Sequence, residues 1–366
     1  MTSTKRVGKA VAVFNDLIGD FGEHEVKSED REYLQPYVYL SLHVVQMVAE
    51  GWDVDFDTAA AVSGASALFG HKPDDFRPKH AHLVVPPPDY KHSDPKLGPD
   101  QRLHGLDQRI AAATGFGYAW TSFDDMEVAW NMIVATVDAG HTAKGWDWEG
   151  ILFAGYQSDS EPAARKVFAM ADGPDTYAQW LSWDEFCDWA NRVIEWRQGE
   201  LGRFAGRVQP SDPSAVTGQV LKDLLDWSEA PPVDALKYFG GATWGLAGIR
   251  QYAMDCADIE TSPTWVACHP INPQWTVRNC TGVYLDRVVA DAIYSDAVKT
   301  HLSAAAVHYH AAYDCWKAFY ALLGHDVPEE MRGMPARRRA AAAVVEAWGT
   351  HEETALAEIA AALDLI

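Results

Sequence analysis

Apolar residues recur every three or four positions between Met126 and Val137, where Met126, Val128, Ala129, Met132, Ile133, Ala135 and Val137 form the broad stripe of a helix ending at Gly140. Ser122, with Asp125 three residues on, reads as a capping box that opens it. The period then changes. Gly150 to Tyr156 (GILFAGY) is a continuous apolar run of the kind buried on both faces, and Lys166 to Asp172 (KVFAMAD) repeats it after a polar turn at Gln157 to Pro162. The pattern predicts a helix feeding an antiparallel hairpin.

Upstream, Pro36 stands at the first position of a helix whose face is lined by Leu40, Val44, Met47 and Val48 up to Gly51. Asp57 reads as the cap of the next segment, Ala59 to Phe69, which is small and apolar. From Gly70 to Leu106 the chain turns rich in Pro, His, Asp and Lys, with three consecutive prolines from Pro86, and reads as a flap over a site. A short helix from Gln108 stops at Gly115, and Phe116 to Trp120 is a strand. Beyond Asp175 only helices are expected. Ser182 and Glu185 form a capping box for a helix running to Gly199, and Pro210 to Pro213 marks a break. Asp234 to Ala257 has helical spacing, and Ser262 to Cys280 reads as irregular. Val298, Leu302, Ala306, Tyr309, Tyr313, Trp316 and Tyr320 form the longest apolar face, and an Ala-rich helix from Pro335 is expected to break near Gly349. The fold class is therefore α+β, with an antiparallel sheet in residues 1–210 and an all-helical region in residues 211–366.

A chain of 366 residues holds one large or two ordinary domains. Lys and Arg number 30 against 52 Asp and Glu, and the net charge of −22 argues against nucleic acid or an anionic membrane as partner. No apolar run approaches the ~18 residues of a membrane span. Asn15 and Asp16 cut the first apolar run before a secretory core forms. Cys187, Cys256, Cys268, Cys280 and Cys315 include no close pair, which suits a reducing cytoplasm and lacks zinc spacing. His80 and His82 alternate as strand neighbours would, but His301 and His308 lie two helical turns apart, roughly 10.5 Å, so no metal site is expected. GASALFG and GFG lack the strand and helix context of a nucleotide loop, and no cofactor is expected. The expected partner is a small-molecule ligand or substrate, with a homodimer the one protein assembly considered.

The order of helix, glycine-bearing turn, aromatic segment Trp146-Asp147-Trp148-Glu149, Gly155-Tyr156 at a strand end and Asp172-Gly173 at the next resembles the second half of a papain-like fold. More narrowly, it is similar to the C39-peptidase-like family that includes butirosin-biosynthesis protein H. The Tyr39 to Phe69 stretch resembles that family's first helix and VSG-A-F segment, and the C-terminal third its appended helices. The resemblance implies a cleft between the start of the first helix and the heads of the hairpin strands, with Tyr37, Tyr39, Trp148, Glu149 and Asp172 around it and His80 to Tyr90 above. It also implies a degenerate site. The first turn holds Tyr37, Val38 and Tyr39 with no cysteine before Cys187, and Trp148 or Glu149 stands where the peptidase histidine would be. Only Asp172 matches the orienting residue.

Two functions follow as expectations. One is small-molecule binding in the former cleft, with Trp146, Trp148 and Tyr156 among the contacting residues. Trp146 and Trp148 alternate, so one of them should face a cavity. The other is acyl or amide chemistry of the butirosin-biosynthesis protein H type. Glu149, desolvated between the two tryptophans, would then be the base and Asp172 its partner, a carboxylate pair suited to a cationic or sugar-like ligand. Ser41 is the nearest hydroxyl, about one turn too deep in its helix to use the free amides.

Overall fold

The structure, a computed structural model, describes residues 3–18, 38–67, 69–71, 105–145, 150–171, 177–195, 199–230, 243–262, 272–324 and 327–366. In chain order its strands are β1 (Ser3–Arg6), β2 (Gly70–His71), β3 (Phe116–Ser122), β4 (Ala143–Gly145), β5 (Ile151–Ser158), β6 (Lys166–Ala171), β7 (Tyr177–Ser182), β8 (Glu200–Arg207) and β9 (Thr243–Trp244). The helices are α1 (Gly8–Ile18), α2 (Val38–Ala49), α3 (Phe56–Val62), α4 (Gly105–Thr114), α5 (Met126–Asp138), α6 (Trp183–Glu195), α7 (Pro213–Glu229), α8 (Gly245–Ala257), α9 (Asn272–Ala290), α10 (Asp296–Leu323), α11 (Glu329–Arg332) and α12 (Pro335–Leu363). The chain forms two compact units, one of residues 1–56 with 115–209, the other of residues 57–114 with 210–366. The segment 57–114 thus groups with the helices.

The first unit is built on a seven-stranded antiparallel sheet in the order β3-β8-β4-β5-β6-β7, with β1 on the same edge of β5 as β4. The expected hairpin is present as β5 and β6, and residues 151–156 are all buried. The expectation of helices alone past Asp175 is corrected: β7 extends the sheet beyond β6, β8 lies in its interior between β3 and β4, and in the region 211–366 the short β9 pairs with β2 in a separate two-stranded sheet. Two glycines and three charges hide β8 in the sequence. One of those glycines is sterically required, since a Cβ at Gly202 would stand 2.5 Å from the Tyr118 ring.

Strand alternation sends Lys144 to one face, where it meets His43 of α2, and Gly145 to the other, where a Cβ would lie 2.7 Å from Trp189 of α6. Phe153 packs on Trp189 and Phe186, and a bulge between Phe153 and Gly155 turns Tyr156 towards Trp130 of α5 on that same face. The cap of α5 is Asp125, which accepts from the amides of Glu127 and Val128. Ser122 instead ends β3 and donates to Glu200, correcting the expected box. The capping box of α6 is formed as expected, with Ser182 and Glu185 each accepting from the other's amide.

In the second unit α10 and α12 run antiparallel, as the pairs His301–Glu358 and His308–His351 require. Val298, Leu302, Ala306, Tyr309, Trp316 and Tyr320 form the buried face of α10. The helix α12 passes through Gly349 without interruption, contrary to expectation. A Cβ there would come within 3.3 Å of Ile249, so the glycine lets α8 approach closely. The stretch expected to be irregular, Ser262 to Cys280, includes the start of α9, which begins at Asn272-Pro273 in keeping with proline's tolerance of a first helical turn. Asp57 lies in the first turn of α3 rather than before it. Three buried cations tie the unit together: Arg278 pairs with Glu352 at 2.8 Å, Arg109 with Asp223, and Arg338 donates to the carbonyls of Asp255, Cys256, Asp258 and Ser262.

Candidate functional site

On the face of the sheet that receives α2, the first unit buries a polar cluster. Lys144 of β4 is fully buried, and its Nζ lies 2.9 Å from His43 Nδ1. With Lys144 as an ammonium, which only donates, Nδ1 of His43 accepts and its ring hydrogen sits on Nε2; with a neutral amine the two nitrogens can exchange roles. The rings of Tyr118 and Trp120, on β3, stand 4.9 and 5.6 Å from the Lys144 nitrogen. Tyr118 donates to Gln46 Oε1 at 2.8 Å, and Gln46 Nε2 donates to the carbonyl and hydroxyl of Thr142, both at 3.1 Å. His43 also packs its ring on Phe116 and Tyr118.

Each member is positioned by an ordinary local rule. His43 and Gln46 are three residues apart and share a face of α2. Thr142 and Lys144 share a face of the strand, as Tyr118 and Trp120 do. The absent side chain of Gly202 makes room for Tyr118 between them. At the edge of the cluster His141 Nδ1 lies 3.0 Å from Glu50, which Lys9 also meets at 3.0 Å. Trp52 packs on Phe116 and Phe204, with the Arg207 guanidinium 4.0 Å from its ring centre. The arrangement offers an amine, an imidazole, a primary amide and a phenol within one buried network. Those groups can donate to an anion or carbonyl, and the amine can act as a nucleophile when deprotonated.

The residues expected at the site fare differently. Tyr37, Trp146, Trp148, Glu149 and Asp172 lie outside the described residues, as do the side chain of Tyr39 and the flap with His80 and His82. Ser41 is buried within α2. Tyr156 is buried on the face covered by α5 and α6, and its hydroxyl donates to Asp138 at 2.9 Å. Burial and the Asp138 carboxylate push the Tyr156 phenol up, while the hydrogen bonds from Lys5 and Tyr156 hold Asp138 below the usual carboxylate range. Ser41 and Tyr156 are therefore not brought together: α2 lies across the sheet from Tyr156.

Sequence reasoning missed His43 and Lys144. They are 101 residues apart, and the available signal was a single lysine inside the small, apolar stretch from Thr142 to Gly145. Among the described residues no three His, Cys, Asp or Glu side chains are grouped to hold a metal ion, and no helix is long and apolar enough to cross a membrane. Cys256 and Cys280 are buried, and Cys187 and Cys315 are half-buried. Compared with known proteins, the chain matches no family model and no curated protein.

Proposed function

We propose that the first unit is a degenerate papain-like, C39-peptidase-like scaffold that binds a small molecule beside α2, with the Lys144–His43–Gln46–Tyr118 network as the polar floor of its site. The observation that carries this reading is the complete burial of Lys144 against an imidazole and two aromatic faces. Lysine is almost never fully buried in a protein interior, because desolvating an ammonium costs several kcal/mol. A sheet of this size does not need one for packing, so a role beneath a site, as a cation that a bound polar ligand would approach through the His43 and Tyr118 layer, accounts for its presence better than a structural one. Tyr37, Tyr39, Trp146, Trp148, Glu149 and Asp172 complete the proposed site by the family resemblance, with the carboxylates complementing the amine floor.

The test is a thermal-shift screen of small carboxylates, amines and sugars against the full chain and its Lys144→Met variant, whose fold is checked by circular dichroism. At least one class should raise the wild-type melting temperature and fail to do so in the variant. No shift from any class, or a shift unchanged in both Lys144→Met and Trp148→Ala, defeats the reading.

A second function is supported by the same amine. Lys144 beside a histidine has the components of an activated nucleophile for acyl or amide transfer, with Glu149 and Asp172 handling protons. An amine-directed acyl probe separates the two. Labelling at Lys144 that a stabilising compound blocks favours the enzyme, and no labelling at Lys144 with or without that compound favours the binding scaffold.

A further inference from the structure

The second unit carries a pair of histidines that no part of the proposed function uses. His308 on α10 and His351 on α12 face each other across the antiparallel seam, with their Nδ1 atoms 3.1 Å apart, ring centres 5.4 Å apart and ring planes inclined by 40°. Two nitrogens that share one Zn²⁺ at the usual bond length of about 2.0–2.1 Å are themselves roughly 3.3 Å apart in a tetrahedron and about 2.9 Å apart at a square-planar corner. The observed separation falls between these.

The helices that present the rings are the two longest of the described residues, and each is anchored by buried side chains, Leu302, Ala305 and Tyr309 on α10 and Trp348, Ala355 and Ile359 on α12. The donors are therefore held by a rigid scaffold rather than by loops. One turn away on either side, helical spacing places Ala304 and Ala311 on α10 and Ala347 and Thr354 on α12, all small. Both rings are only partly buried, so solvent reaches the pair. Charged groups near the pair are His301 and Glu358, two turns away and paired with each other at 2.7 Å, and the buried Glu352, which is neutralised by Arg278 at 2.8 Å.

We propose that His308 and His351 form a two-point transition-metal site, binding Cu²⁺ or Zn²⁺ through both Nδ1 atoms with water in the remaining positions. In the metal-free protein one Nδ1–H donates to the other Nδ1. The donor ring of that neutral pair has a bare Nε2, so on metal uptake its proton moves from Nδ1 to Nε2 by exchange with solvent, and both Nδ1 atoms are left free to coordinate with no net proton released. Imidazole suits Cu²⁺ and Zn²⁺, and Cu²⁺ binds the tighter of the two. No third His, Cys, Asp or Glu joins the pair among the described residues, so the site is open and exchangeable.

The full chain is titrated with Zn²⁺ and with Cu²⁺ by calorimetry, alongside His308→Ala, His351→Ala and His301→Ala as the neighbouring control. Affinity at the tightest site should fall at least tenfold in each of the first two variants and stay unchanged in the control. Electron paramagnetic resonance of the wild-type Cu²⁺ complex, which needs no variant to fold, should show two equivalent nitrogen donors. Equal affinity in wild type and His351→Ala, or a copper signal without paired nitrogen coupling, overturns the proposal.

Discussion

Gly202 shows how one missing side chain sets the candidate site. Tyr118 is fixed by its hydrogen bond to Gln46, so its ring cannot swing away from a new methyl group placed 2.5 Å from it. Gly202→Ala should therefore cost about 1–3 kcal/mol, read from the midpoint of urea unfolding, and should disturb the aromatic wall beside Lys144. His351 gives a pH dependence. Burial, followed by the nearby His308, holds its pKa below the ordinary value of 6.5. The folded state therefore binds fewer protons than the unfolded chain once pH drops below 6.5, and stability rises with pH across that window. The contribution is fully present above pH 6.5 and is lost as pH falls towards the depressed value. In metal-free buffer the melting temperature should decline between pH 7 and pH 5 less steeply in His351→Gln than in wild type. An identical slope in the two proteins assigns the acid sensitivity elsewhere.

The elements differ in how plainly the sequence announced them. Helix α10 was legible because ten of its side chains are buried on one repeating face. Helix α6 was legible because Ser182 and Glu185 spell out its start, and Ser182→Ala should cost about 1 kcal/mol of stability in thermal unfolding. Strand β8 was not legible: Glu200, Arg203 and Arg207 with two glycines read as a polar linker, and only its neighbours β3 and β4 make it a strand. Helix α9 was concealed by prolines whose breaking effect applies to helix interiors and not to the first turn, where Pro273 sits. The candidate site was illegible for another reason. A contact between residues 43 and 144 has no local signature, and both lie in stretches whose periodicity speaks only of packing. Arg338 also acts at this scale, because its guanidinium satisfies carbonyls at the end of α8. Arg338→Met leaves those carbonyls buried without donors, and should destabilise the second unit by about 3 kcal/mol or more in chemical denaturation.

At the scale of the molecule the chain visits each unit twice. Residues 57–114 belong with residues 210–366, so a fragment of residues 1–210 carries a segment deprived of its partners, including Asp223 opposite Arg109. Limited proteolysis of that fragment should cut within residues 57–71 and 105–114 while sparing the sheet. Protection equal to that in the full chain would show that the segment is held by the sheet instead. The same winding governs the order in which the protein can be assembled. Strand β4 is complete at Gly145, but β8, which must lie between it and β3, begins only at Glu200. At a synthesis rate of roughly 5–20 residues per second, β3 and β4 wait about 3–11 s with their facing edges unpaired. Those edges offer donors and acceptors to any other extended chain, so the nascent protein is most exposed to misassociation, and most in need of a chaperone, before its eighth strand leaves the ribosome.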